Sequence, residues 1–149
     1  MTLRRRTLVL AGGGWLVLGV RPAQAALAPA LVDAVRAWAD TAAAPRTGRV
    51  RLEIAPLVEN GNAVPISVKV ESPMSAADHV REIAVFTERN PQLDVARFQL
   101  GPVNGRAEVA TRIRLATSQN VVALARLSDG SLWQHAVDVL VTLAACIEG

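Results

Sequence analysis

From Val50 onward the apolar residues of this chain fall on every second position, a rhythm that suits a strand and not a helix. Val50, Leu52 and Ile54 alternate; so do Val64, Ile66, Val68 and Val70; Ile83 and Val85; Phe98 and Leu100; Val109, Thr111, Ile113 and Leu115; Val121, Ala123, Ala125 and Leu127; and Trp133, His135, Val137, Val139 and Val141. Asn60-Gly61-Asn62, Asn90-Pro91, Asn104-Gly105 and Asp129-Gly130 separate the runs with turn chemistry, and the last reads as a hairpin. Seven short alternating strands, with no helix between them long enough for a parallel crossover, specify an all-β, immunoglobulin-like antiparallel β-sandwich. It is expected over residues 46–143. The seventh strand runs to about Leu143, which leaves 144–149 as a flexible C-terminal tail.

Residues 26–45 read as a helical or irregular arm, because Leu31, Val32, Val35, Trp38 and Ala39 fall at helical spacing and Pro45 ends the pattern. The stripe is expected to pack on the domain or on a partner and to carry no chemistry. Residues 1–25, "MTLRRRTLVLAGGGWLVLGVRPAQA", read as an export signal: three arginines, an apolar run from Leu8 to Val20, and Ala23-Gln24-Ala25 as the small-x-small cleavage pattern. A bilayer span takes about 20 apolar residues, so this run is short for an anchor and no membrane segment is expected once the signal is removed. Arg5-Arg6-Thr7-Leu8-Val9 fits the twin-arginine signature, with Arg21 beside the cleavage site. The expected address is the periplasm.

Loss of Arg4, Arg5, Arg6 and Arg21 takes four of the 16 basic residues and none of the 13 acidic ones, so a net charge of +3 becomes −1. No basic stripe survives, tyrosine is absent, and two phenylalanines and two tryptophans remain. Nucleic-acid binding by phosphate contact and stacking therefore has no footing. His79 and His135 are the only histidines, one in a connection and one inside the last strand, and neither zinc-ligand spacing nor a His-Glu-x-x-His run is present, so no metal is expected. No Gly-x-Ser-x-Gly elbow supports a hydrolase. Glu59, Glu71, Glu82, Glu88 and Glu108 are spaced as a solvated face. No cofactor is implied and no self-sufficient active site is visible, so the chain is not expected to be an enzyme.

One cysteine remains, Cys146, fourth from the end. It cannot form an intramolecular disulfide, and an unpaired thiol in an oxidising compartment requires an account. An inter-chain disulfide, an incidental thiol and a core residue on an inward-folded tail are the plain alternatives; a covalent attachment point is the sharper one. An extended tail gains about 3.3 to 3.6 Å per residue, enough to carry sulfur into another protein's pocket. Only the thiolate reacts, and an unperturbed thiol titrates near pH ~8.5, so the activating chemistry would belong to the visited enzyme.

Three stretches, "ENGNAVPISVKVESPM" from Glu59 to Met74, "IAVFTERNPQLDVARFQLGP" from Ile83 to Pro102 and "GRAEVATRIRLATSQNVVALARLSDGSLW" from Gly105 to Trp133, together with the closing strand and its late cysteine, resemble the SoxY family of the periplasmic sulfur-oxidation (Sox) system. The resemblance implies an immunoglobulin-like sandwich paired with a SoxZ-type subunit and exported by a twin-arginine signal. It implies that Cys146 carries thiosulfate-derived sulfur. A SoxXA-type haem enzyme couples thiosulfate to the thiol, a SoxB-type hydrolase releases sulfate, and a SoxCD-type dehydrogenase, where present, oxidises the remaining sulfur. The carrier itself catalyses nothing.

The tail departs from the Gly-Gly-Cys-Gly-Gly typical of that family: Ala144-Ala145 precede Cys146, and Ile147-Glu148-Gly149 follow. Alanine narrows the backbone freedom that glycine gives, Ile147 adds a stiff β-branched bulk, and Glu148 sets a negative charge beside the thiol, disfavouring the thiolate and an incoming anion. Two readings follow: a working carrier with a variant arm, or a SoxY-like interaction module whose cargo loading is lost or altered.

Overall fold

The computed structural model describes residues 26–143; residues 1–25, read from the sequence as an export signal, and 144–149, with Cys146, lie outside the described residues. Nine strands and one helix follow in the order α1 (Pro29–Ala39), β1 (Arg46–Thr47), β2 (Val50–Glu53), β3 (Leu57–Asn60), β4 (Val64–Val70), β5 (Val80–Thr87), β6 (Asp94–Gln99), β7 (Glu108–Ile113), β8 (Gln119–Leu127) and β9 (Leu132–Leu143). A single 3-10 turn, Pro102–Asn104, precedes β7.

The larger sheet is ordered β1-β9-β8-β5-β6, with β3 also paired to β9; the smaller is ordered β2-β4-β7. All seven expected strands are present as β2 and β4 to β9. The β8–β9 hairpin turns at Asp129-Gly130, where Gly130 takes φ 83°, a conformation that costs glycine little. β1 and β3 were not legible as alternating runs. They are short, and both run parallel to β9, with Arg46 opposite Trp133 and Leu57 opposite Leu140. The sandwich is therefore antiparallel except along β9, whose twelve residues outrun β8.

The two sheets close on Val64, Val68, Val80, Ile83, Val85, Leu115, Val121, Ala123, Ala125 and Val139, all buried. β4 alternates between core and surface as a sheet with one wet face should. β5 and β8 are buried on both faces, because α1 covers the outer side of the larger sheet. Leu31, Val35 and Trp38 recur on one helix face and pack on Ala84, Phe86, Val122, Leu124 and Leu132. Trp38 meets Phe86 edge to face at 6.1 Å between ring centroids. The helix stops at Ala39, well before Pro45, because Asp40 takes the left-handed conformation at φ 51° and its N–H caps the Arg36 carbonyl.

Both ends of α1 are fastened by charge. At the C-terminal end Arg126 donates to the Trp38 carbonyl at 2.7 Å, stands 4.7 Å over the Trp38 ring and lies 3.7 Å from Glu82; Glu82 accepts the Trp38 indole N–H at 3.0 Å. At the N-terminal end Glu88 accepts the Ala28 N–H at 2.9 Å and the backbone and side-chain N–H groups of Asn120 at 3.3 and 3.1 Å. Glu82 and Glu88 thus leave the solvated face on which the sequence put them: one is buried in an ion pair, the other is a helix N-terminal anchor.

Burial works against the charged form of Glu88, but the hydrogen bonds from Asn120 and Ala28, with Arg89 nearby, outweigh it and hold the carboxyl below its ordinary value of 4.5. A depressed folded pKa means stability that is present above pH 4.5 and lost as pH falls through the folded value. Acid is therefore expected to loosen α1, and Glu88→Gln to flatten the acid side of the stability profile. Thermal melts followed by tryptophan emission on either side of that pH check this; identical acid slopes in the two proteins would contradict it.

Candidate functional site

β9 pairs with β8 only as far as Val139, opposite Gln119. Its last four residues, Leu140–Leu143, overhang and are held in other ways. β3 pairs along them from Leu57 opposite Leu140 to Asn60 opposite Leu143. Where β8 has ended, the Ser118 hydroxyl stands in for it, accepting the Val141 N–H at 2.8 Å and donating to the Val141 carbonyl at 3.3 Å. Thr142 donates to the Glu59 carbonyl at 3.3 Å. The Leu143 carbonyl, the last group before the tail, accepts the Gly61 N–H at 3.0 Å.

The turn that supplies Gly61 is itself braced. Asn60 accepts the Asn62 N–H at 2.9 Å, an Asx turn of the kind that Asn favours. Leu115 donates to the Gly61 carbonyl at 2.8 Å, and Arg114 to Asn62 at 3.3 Å. Asn90 then ties the neighbouring loops: its amide donates to the Arg114 carbonyl at 2.7 Å, and its oxygen accepts from the Ala116 N–H and from Gln119, each at 2.9 Å. Buried Gln119 accepts the Arg89 N–H at 2.7 Å. Thus Asn60-Gly61-Asn62 and Asn90, read from the sequence as turn residues, brace this end of the sandwich. Cys146 is the third residue after Leu143, an extended span of about 10 Å. The root of the cysteine-bearing tail sits on a stiff mount.

The remaining polar groups serve the framework. The two histidines bond to different parts of it: His79 Nδ1 bonds to the Ser75 carbonyl at 3.0 Å, and His135 Nδ1 accepts the Leu52 N–H at 2.9 Å, linking the two sheets. A groove of about 1140 Å³ follows β2 along its whole length, from Gly48 to Ala55. Its cationic side chains are each paired: Lys69 and Arg51 lie 3.3 and 3.5 Å from Glu53, and Arg49 3.5 Å from Asp78. Among the described residues no group of three or more His, Cys, Asp or Glu is placed to hold a metal ion, and no helix is long and apolar enough to cross a membrane.

Fold and mount together define a small β-sandwich protein whose described chain ends, at Leu143, on a braced end of the sandwich. The family model described as sulfur oxidation protein SoxY matches residues 35–146, a range that ends on Cys146. The chain belongs to the SoxY family, among the sulfur carriers of sulfur oxidation. The sulfur carrier protein SoxY from Chlorobium limicola f thiosulfatophilum is similar at 27% identity and a TM-score of 0.61, over 76% of this chain and 96% of that one. A superoxide reductase (neelaredoxin) from Ignicoccus hospitalis is similar at 20% identity and a TM-score of 0.56, over 63% of this chain and 80% of that one. A putative superoxide reductase from Thermotoga maritima is similar at 23% identity and a TM-score of 0.54, over 66% and 87%. The likeness to these reductases is one of fold. No curated protein matches the chain.

Proposed function

We propose that this protein is a periplasmic covalent carrier that holds thiosulfate-derived sulfur on Cys146 and presents it, as a complex with a SoxZ-type subunit, to SoxXA-, SoxB- and, where present, SoxCD-type enzymes. The observation that carries the reading is the family match reaching Cys146, on a chain whose last strand is fastened up to Leu143. Export follows from the arginine-led segment 1–25. The chemistry divides cleanly. The Cys146 thiol and thiosulfate lose one proton and two electrons to the haem enzyme as the sulfur–sulfur bond forms; hydrolysis of the terminal sulfone then consumes water and releases sulfate and two protons, leaving a persulfide anion. None of these steps needs an acid, base or metal from the carrier.

The Ala-Ala-Cys-Ile-Glu-Gly tail favours a second reading, an interaction module that binds the SoxZ-type subunit but no longer loads sulfur. Protein recovered from the periplasm of thiosulfate-grown cells is expected to bring an equimolar second sandwich subunit, and to label with a thiol reagent at Cys146 mainly after reduction. A paired protein that labels fully without reduction would establish the interaction module, and a lone chain in that state would overturn both readings.

A further inference from the structure

Among the described residues, four large apolar side chains stand more than half exposed: Leu57, Leu140, Leu143 and Val103. Val103 belongs to the distant 3-10 turn. Leu57 and Leu140 meet as cross-strand register partners on the outer face of the β9 overhang, and Leu143, three positions further on, falls on the other face at the tail root. β3, which carries Leu57, pairs with β9 alone. An exposed leucine pair on an open strand edge marks a contact surface.

The length of the tail says what makes the contact. Cys146 lies three residues beyond Leu143, so a pocket that takes its sulfur has its mouth within about 10 Å of the root. Whatever loads the thiol must therefore lie against the surface around Leu143. A permanent subunit seated there would block that approach, so the surface has to be free between visits. We propose that Leu57 and Leu140, beside the tail root at Leu143, form the docking surface for the enzymes that receive the tail, and that the constitutive sandwich subunit binds elsewhere. The proposal rests on the carrier reading.

The test compares the purified carrier complex with its Leu57→Thr/Leu140→Thr form, which places strand-favouring β-branched residues at both positions. Loading by the SoxXA-type haem enzyme with thiosulfate is followed by mass at Cys146, and alkylation by a small thiol reagent reports the arm's own reactivity. The KM for the carrier is expected to rise about tenfold, with kcat, alkylation rate and subunit pairing unchanged. An unchanged KM would overturn the proposal. So would loss of the second subunit from the variant, which would assign the leucines to the permanent interface. Absence of loading in the unsubstituted complex would instead overturn the carrier reading, and the docking surface with it.

Discussion

Cys146→Ser is expected to abolish sulfur loading altogether while leaving the fold and the pairing with the proposed second subunit intact. On the carrier reading the loss is complete because the proposed intermediate is a sulfur–sulfur bond: a serine hydroxyl cannot form one, and the sequence has no other thiol to take over. The fold persists because the bonds that fasten the end of β9 are made by Ser118, Thr142 and Gly61, none of which the substitution touches. Mass spectrometry after incubation with thiosulfate and the haem enzyme, alongside thermal melting and gel filtration with the SoxZ-type subunit, separates the two effects. Residual loading in the serine variant would place the cargo elsewhere; loss of pairing would mean that the tail belongs to the subunit interface.

Arg126→Ala carries the largest expected cost in stability, about 2 to 3 kcal/mol, or a fall of roughly 10 °C in Tm. The guanidinium joins three things: the carboxylate of Glu82, the last-turn carbonyl of Trp38 and the Trp38 ring. Truncation leaves Glu82, 8% exposed, as a buried charge without its counter-ion, and a last-turn helix carbonyl without its donor. The loss falls below that of a fully enclosed pair because the Arg126 side chain is itself 28% exposed. Adding Glu82→Gln removes the stranded charge and keeps an oxygen for the Trp38 indole N–H, so the double variant is expected to be more stable than Arg126→Ala alone. Denaturant melts of the four proteins of the cycle decide the matter. A double variant no better than the single one would show that the cost lies in the lost helix contacts and not in the stranded charge.

The strands that alternate were legible because each shows one face to the inter-sheet core: Val64, Ile66, Val68 and Val70 announce β4 without ambiguity. β3 was not, since "LVEN" pairs only along β9, keeps Leu57 in solvent and has no period to read. The helix was legible through Leu31, Val35 and Trp38, but its end was not, because a left-handed Asp40 leaves no signal comparable to Pro45. The anchoring roles of Glu82 and Glu88 depend on partners 32 to 60 positions away, counted to Trp38 or Arg126 for one and Ala28 or Asn120 for the other, a pairing that no local pattern encodes. Glu82 nevertheless carried a faint mark: it lies on the same face of β5 as Ala84 and Phe86, opposite the side of Ile83 and Val85. The thiol was the reverse case, conspicuous in the sequence as the sole cysteine and tied to a function by family resemblance.

The central claim is that Cys146 is a loaded position, and the most direct measurement is intact-protein mass spectrometry under non-reducing conditions on the processed protein taken from its own periplasm after growth with thiosulfate. The carrier account predicts a reductant-sensitive mass increase, mapping to Cys146, that matches sulfane sulfur or a thiosulfate group. A bare thiol at Cys146 in every such sample would contradict it.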